Sequence, residues 1–131
     1  MIPKFRAWDK TENEMWNVEA IYIEDEWVKV NDGSIYGITK DLVRDYVLMQ
    51  STGLKDKNGT EIYEGDIVEF KYPYDKRIKT KGVIVRNDNK ACFGISMKET
   101  TEQYELYRIT AENYLSVIGN VHQNPELLED N

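Results

Sequence analysis

The sequence predicts a mainly β protein built as a small barrel or curved sheet, and three observations carry that prediction. Apolar and polar residues alternate with period two along most of the chain. Turn-forming residues interrupt the alternation at short intervals. Helical signals are confined to single turns, too short to stabilise themselves. An α+β fold is the alternative.

The elements follow in order. In residues 4–9, Phe5 and Ala7 share one face and Lys4, Arg6 and Trp8 the other. The polar run 10–13 turns the chain. Trp16, Val18 and Ala20 then alternate with Met15, Asn17 and Glu19. Residues 21–23 and 27–30 flank the acidic corner Glu24-Asp25-Glu26, and Asn31-Asp32-Gly33 is a favoured turn. The first thirty residues thus predict an antiparallel meander. Residues 39–44 fit a single capped helical turn but are too few to decide. Strand character returns at 46–50. Asn58-Gly59 predicts a type I′ hairpin, which needs positive φ twice, and Glu64-Gly65-Asp66 a tight corner before the strand beginning at 67. Residues 81–86 and 91–95 predict a hairpin about 87–89. Residues 98–103 read as a polar loop, 104–109 fit strand or helix equally, and 115–119 predict a closing strand. Asn124 then caps a helix start with Pro125 at its first position.

Composition limits the function classes. Of 131 residues, 40% are hydrophobic and 31% charged, with a net charge of −7; a general nucleic-acid binder, which gains affinity by neutralising phosphates, has the opposite balance. The charge is uneven: −4 over residues 1–47, +2 over 48–90 and −5 over 91–131. One cysteine, Cys92, and one histidine, His122, provide neither an internal disulfide nor a structural zinc set. No apolar run is long enough to span a membrane, and the first residues lack a signal-peptide core. A soluble, cytoplasmic protein is expected, as one domain over 1–131 with an N-terminal β lobe at 1–47 and a barrel lobe at 48–131.

Three segments together resemble a known family. They are KFRAWD at 4–9, LMQSTGLKDKNGTEIYEGDIV at 48–68, and VIGNVHQNPELL at 117–128. Their order and identity are similar to the YopX family of phage and prophage proteins, over essentially the whole chain. The resemblance implies a mostly β protein with a small SH3-like barrel, encoded by a bacteriophage or prophage. The family carries no assigned reaction, cofactor or catalytic residue to transfer. Turn chemistry accounts for most of these residues without any function: Asn58-Gly59 for a hairpin, Gly65 for a backbone geometry that a Cβ disfavours, Asp66 for hydrogen bonds to nearby amides.

Two sets of residues stand out as candidates. The stretch 71–81 holds five cations and two tyrosines; Lys71, Lys76, Arg77, Lys79 and Lys81 suit phosphates, and Tyr72 and Tyr74 suit stacking on unpaired bases. A solvated hairpin loop has the same composition. Trp8, Trp16 and Trp27, in a chain with nine Tyr and three Phe, are candidate interface aromatics, although strand packing also favours such residues.

Chemistry has little support. Cys92 lies in an apolar strand pattern typical of a buried, inert thiol, and His122 sits just ahead of a helix cap, a place for packing or solvation. Nucleotide loops and the nucleophile elbow are missing from the sequence. Asp56-Lys57-Asn58-Gly59 lacks calcium-loop spacing, since the twelfth position from Asp56 is Ile67. No catalytic, metal or cofactor residue is assigned, and no cofactor is expected. The sequence is read as a non-catalytic adaptor for a host or phage protein, able to self-associate and independent of membranes. A nucleic-acid module using 71–81 is the second reading.

Overall fold

The computed structural model describes residues 2–71, 79–87, 90–98 and 103–129, with only the backbone of Lys79. It contains β1 (Phe5–Asp9), β2 (Glu14–Tyr22), β3 (Trp27–Asn31), β4 (Ile38–Leu42), β5 (Tyr46–Lys55), β6 (Glu61–Tyr63), β7 (Asp66–Lys71), β8 (Lys79–Asn87), β9 (Cys92–Met97), β10 (Gln103–Glu105), α1 (Arg108–Tyr114) and β11 (Leu115–Asn120). The mainly β class is as the sequence predicts, with two antiparallel sheets. The chain divides into two units, 1–51 and 52–131.

In the first unit the strand order is β4-β3-β2-β1-β5, which contains the predicted meander. Ala7 lies opposite both Trp16 and Leu48, and the core gathers Ala7, Val28, Val30 and Tyr46 with Trp16, Val18, Ile21, Val43 and Leu48 around them. A register shift between Val18 and Ala20 changes the alternation read from sequence. An extra residue at a bulge reverses the facing of everything beyond it, so Ile21, not Ala20, packs on the core. Asp9 closes the first turn, its Oδ1 accepting the N–H of Thr11 at 2.9 Å and of Glu12 at 3.1 Å. Residues 38–42, readable as part of a helical turn, form a strand because all five pair with β3; only Val43–Asp45 curls into a 3-10 turn. Just after it, the Tyr46 hydroxyl donates to Asp41 Oδ2 at 2.6 Å.

In the second unit β6 lies beside β5, and the other sheet runs β10-β9-β8-β7-β11. The expected barrel does not close among the described residues. Here β10 pairs only with β9 and β11 only with β7, leaving both as edges. The core holds Ile62, Val68, Ile84, Ile95, Ala111 and Leu115.

Three turns depart from or sharpen the sequence reading. Gly59 has φ +83° while Asn58 is not in the positive-φ region, so the Asn-Gly pair does not make a type I′ turn. Its geometry is set by the buried carboxylate of Asp56: Oδ1 accepts Asn58 N–H at 2.8 Å and Thr60 N–H at 2.9 Å, and Oδ2 accepts Val117 N–H at 2.8 Å. At the next corner Gly65 takes φ +88° and Asp66 Oδ2 accepts the Tyr63 amide at 2.7 Å, the roles read from sequence. Asn124 makes no side-chain cap on the 3-10 turn Pro125–Leu128. Its Oδ1 accepts the Asn120 amide at 3.2 Å instead, and the buried Asn120 side chain accepts the amides of His122 and Gln123 at 3.0 and 2.9 Å. The ambiguous segment 104–109 divides, strand to Glu105 and helix from Arg108.

Candidate functional site

Side chains alternate between the two faces of a strand, so the pairing of the five-stranded sheet fixes what each face carries. Val68 lies opposite Gly82, Phe70 opposite Thr80, Gly82 opposite Met97, Ile84 opposite Ile95, and Ile95 opposite Tyr104. All of these share the core face. At one end Ile84, Ala111 and Leu115 fill it. Toward the other end the same face continues into an open groove of about 680 Å³, its floor formed by Phe70, Ile95 and Met97. Gly82 keeps that floor low: a Cβ there would stand 2.6 Å from Ile95 Cγ2.

The groove mouth is aromatic and polar together. Tyr104 is 51% exposed and Tyr107 58%. The Tyr107 hydroxyl donates to Glu105 Oε2 at 2.5 Å, and Lys90 Nζ donates to Glu105 Oε1 at 3.3 Å. The Tyr107 hydroxyl and Lys90 hold the Glu105 carboxyl below the usual carboxylate range, and the Glu105 carboxylate in turn raises the Tyr107 phenol. The carboxylate, set between a phenol and an ammonium, ties one tyrosine side chain to the rim of the groove. Sequence reasoning missed this trio; its only signal was the pair Tyr104 and Tyr107 bracketing an acid at a strand–helix junction.

The residues singled out from sequence are distributed as follows. Lys71 is exposed at the end of β7 and pairs with Glu69 at 3.8 Å. Lys81 is half-buried, its Nζ donating to Leu127 O at 3.0 Å. Tyr72, Tyr74, Lys76, Arg77 and the Lys79 side chain lie outside the described residues. Trp8 is buried at 9% exposure. Trp16 is half-buried, and its enclosed indole N–H has no acceptor among the described residues. Trp27 is 36% exposed, and Lys40 Nζ stands 4.4 Å from the Tyr22 ring centroid and 5.5 Å from that of Trp27. Of the three tryptophans, Trp27 is the most exposed. Cys92 is half-buried, not buried as expected, because it sits opposite Asn87 at the turn end of the β8–β9 hairpin. His122 is half-buried beside Asn120. Among the described residues no helix is long and apolar enough to cross a membrane.

Comparison with known proteins places this architecture. Among curated proteins no relative matches the chain. Protein EF1440 from Enterococcus faecalis, of known crystal structure, is similar at 33% identity and TM-score 0.69, covering 98% of this chain and 99% of that one. Protein yopX from Bacillus subtilis shares the fold at 21% identity and TM-score 0.60, covering 98% and 97%. The family model described as YopX protein matches residues 4–129. The chain therefore belongs to the YopX protein family.

Proposed function

We propose that this chain is a phage- or prophage-encoded accessory protein of the bacterial cytoplasm that works by holding a partner polypeptide, without catalysis of its own. The observation that carries the reading is the groove that the described residues form on the core face of the sheet, lined by Phe70, Met97 and Tyr104. Apolar floor with a rim of exposed Tyr and a fixed ion pair is the composition of protein recognition sites, whose centres are rich in aromatics and whose margins are polar. The short edge strand β10 adds backbone donors and acceptors alongside, so an extended partner segment has both a ladder and a pocket available.

The test is affinity capture from nuclease-treated host lysate at low and high salt, comparing the wild type with Tyr104→Arg and Phe70→Ala. A defined polypeptide retained at high salt by the wild type and lost with Tyr104→Arg supports the reading. Recovery only of nuclease-sensitive material, or equal recovery by the variants, overturns it.

A further inference from the structure

Asn58-Gly59 is the one Asn-Gly pair in the chain, and it carries a chemistry separate from its turn. Asparagine is thermolabile, most of all before glycine, where no Cβ shields the following amide nitrogen. The reaction is a ring closure. The Gly59 nitrogen bonds to Asn58 Cγ as the Cγ–Nδ2 bond breaks, and ammonia leaves with the proton lost from the Gly59 amide. Water then opens the succinimide at either carbonyl carbon, giving aspartate or isoaspartate at position 58. Nothing is oxidised or reduced, and water is the one co-reactant.

The fold opposes the first step and leaves the second open. Asn58 and Gly59 are exposed, and a Cβ added at Gly59 would meet no described atom within 4 Å, so water reaches the pair. The carboxamide is held loosely, its Nδ2 3.5 Å from Ser116 Oγ. The attacking nitrogen is held more firmly, since the Gly59 N–H donates to the Asp56 carbonyl at 3.1 Å. On either side of it the Asp56 carboxylate accepts the amides of Asn58 at 2.8 Å and Thr60 at 2.9 Å. The nitrogen must give up its own bond, and the turn two more, before it can swing toward Cγ. The carboxylate of the same turn also disfavours the amide anion that precedes attack.

We propose that Asn58 is a deamidation site of this protein and that Asp56 holds its reaction in check. Attack starts from the locally opened turn, so the rate follows the open population. The products act back on the fold. Isoaspartate adds a methylene to the main chain ahead of Gly59, and aspartate sets a second carboxylate beside that of Asp56. Either change loosens the turn whose carboxylate also holds the Val117 amide at 2.8 Å. Deamidation is thus a mark of chain age written where the turn is tied to β11.

The experiment incubates the folded full chain in mildly alkaline buffer and follows the peptide spanning Asn58 by mass spectrometry. The same chain unfolded in guanidinium chloride sets the unrestrained rate, and the folded wild type is expected to react at least about tenfold more slowly. Asp56→Ala is expected to raise the folded-chain rate about tenfold, the gain in open population when two turn hydrogen bonds are lost. Asp56→Ser, which keeps one oxygen for the turn, falls between and serves where the alanine variant does not fold. Aspartate and isoaspartate appear together, which direct hydrolysis of the side chain would not give. Ile84→Val, which weakens the same core away from the turn, leaves the rate close to wild type. Equal rates in the folded and unfolded wild type, folded Asp56 variants no faster than wild type, aspartate as the sole product, or equal acceleration by Ile84→Val would overturn the proposal.

Discussion

Asp56 is the residue whose removal the structure predicts to cost most for its size. Its carboxylate is 4% exposed and accepts three backbone amides, those of Asn58, Thr60 and Val117, at 2.8, 2.9 and 2.8 Å. Two of these amides lie in an exposed turn and regain water when the carboxylate is lost, at ~0.5–1 kcal/mol each. The third belongs to half-buried β11, where replacement by water is incomplete, and its loss costs ~2 kcal/mol. Asp56→Ala is therefore expected to destabilise the second unit by ~3–4 kcal/mol. Asp56→Asn keeps the Oδ1 acceptor for the turn but turns an amide NH2 toward the Val117 N–H, for a loss of ~2 kcal/mol. The assay is chemical denaturation followed by far-ultraviolet circular dichroism, with amide hydrogen exchange at Val117. All three tryptophans precede residue 52, so their fluorescence reports the first unit and serves as the internal reference. A loss below ~0.5 kcal/mol for Asp56→Ala, the scale of an ordinary surface change, would refute the reasoning. So would unchanged protection of the Val117 amide.

Tyr46→Phe removes the hydroxyl donated to Asp41 and is expected to cost ~1–2 kcal/mol by thermal or chemical denaturation near neutral pH. Burial and the adjacent Asp41 raise the Tyr46 phenol well above its usual value of 10.0. The folded state therefore holds that proton more tightly than the unfolded chain. Its contribution is complete below the unfolded tyrosine pKa of about 10 and is lost as pH rises beyond it toward the folded value. The wild type should lose stability faster than Tyr46→Phe above that pH, and parallel profiles would refute the assignment. Gly82→Ala forces a Cβ to 2.6 Å from Ile95 Cγ2 and is expected to destabilise by ~1–3 kcal/mol through overpacking. The check is its denaturation midpoint, with a wild-type midpoint counting against the close packing. Trp27, the most exposed tryptophan, should carry most of the acrylamide-quenchable fluorescence; Trp27→Phe should remove that fraction, and an unchanged quenching curve would contradict the exposure order.

What the sequence discloses depends on how far apart the interacting residues are. Alternation locates β1, β2, β7, β8 and β9, and Gly65 with Asp66 is readable because the corner is closed within three residues, by the Tyr63 amide. The bulge after Val18 is invisible to alternation, which has no term for an unpaired residue, so Ala20 is read where Ile21 packs. Asn58-Gly59 carries the strongest hairpin signal in the chain, yet Asp56 overrides it through Val117, sixty-one positions away. Asn124 looks like a helix cap by its neighbours and is instead used by Asn120. The barrel inferred from short strands and from family resemblance does not close among the described residues, where β10 pairs with β9 and β11 with β7, each on one side only.

The same distinction governs the candidate surfaces. The basic stretch 71–81 is conspicuous because its charges are adjacent in sequence, but its described members are already engaged: Lys71 pairs with Glu69 at 3.8 Å, and Lys81 donates to the carbonyl of Leu127. Lys98, isolated in an acidic segment of net −5, comes beside Lys81 only through strand register, its amide donating to the Lys81 carbonyl. The groove arises likewise, from Phe70, Gly82, Met97 and Tyr104 on four strands whose order fixes one shared face. A sheet displays a different set of residues on each side, so the groove face carries Phe70, Ile95 and Met97 while Glu69, Lys71 and Lys81 stand on the other. Lys71→Gln, on the face turned away from the groove, should therefore leave capture of a partner polypeptide unchanged, and loss of capture by that variant while still folded would show that the groove face alone does not hold the partner.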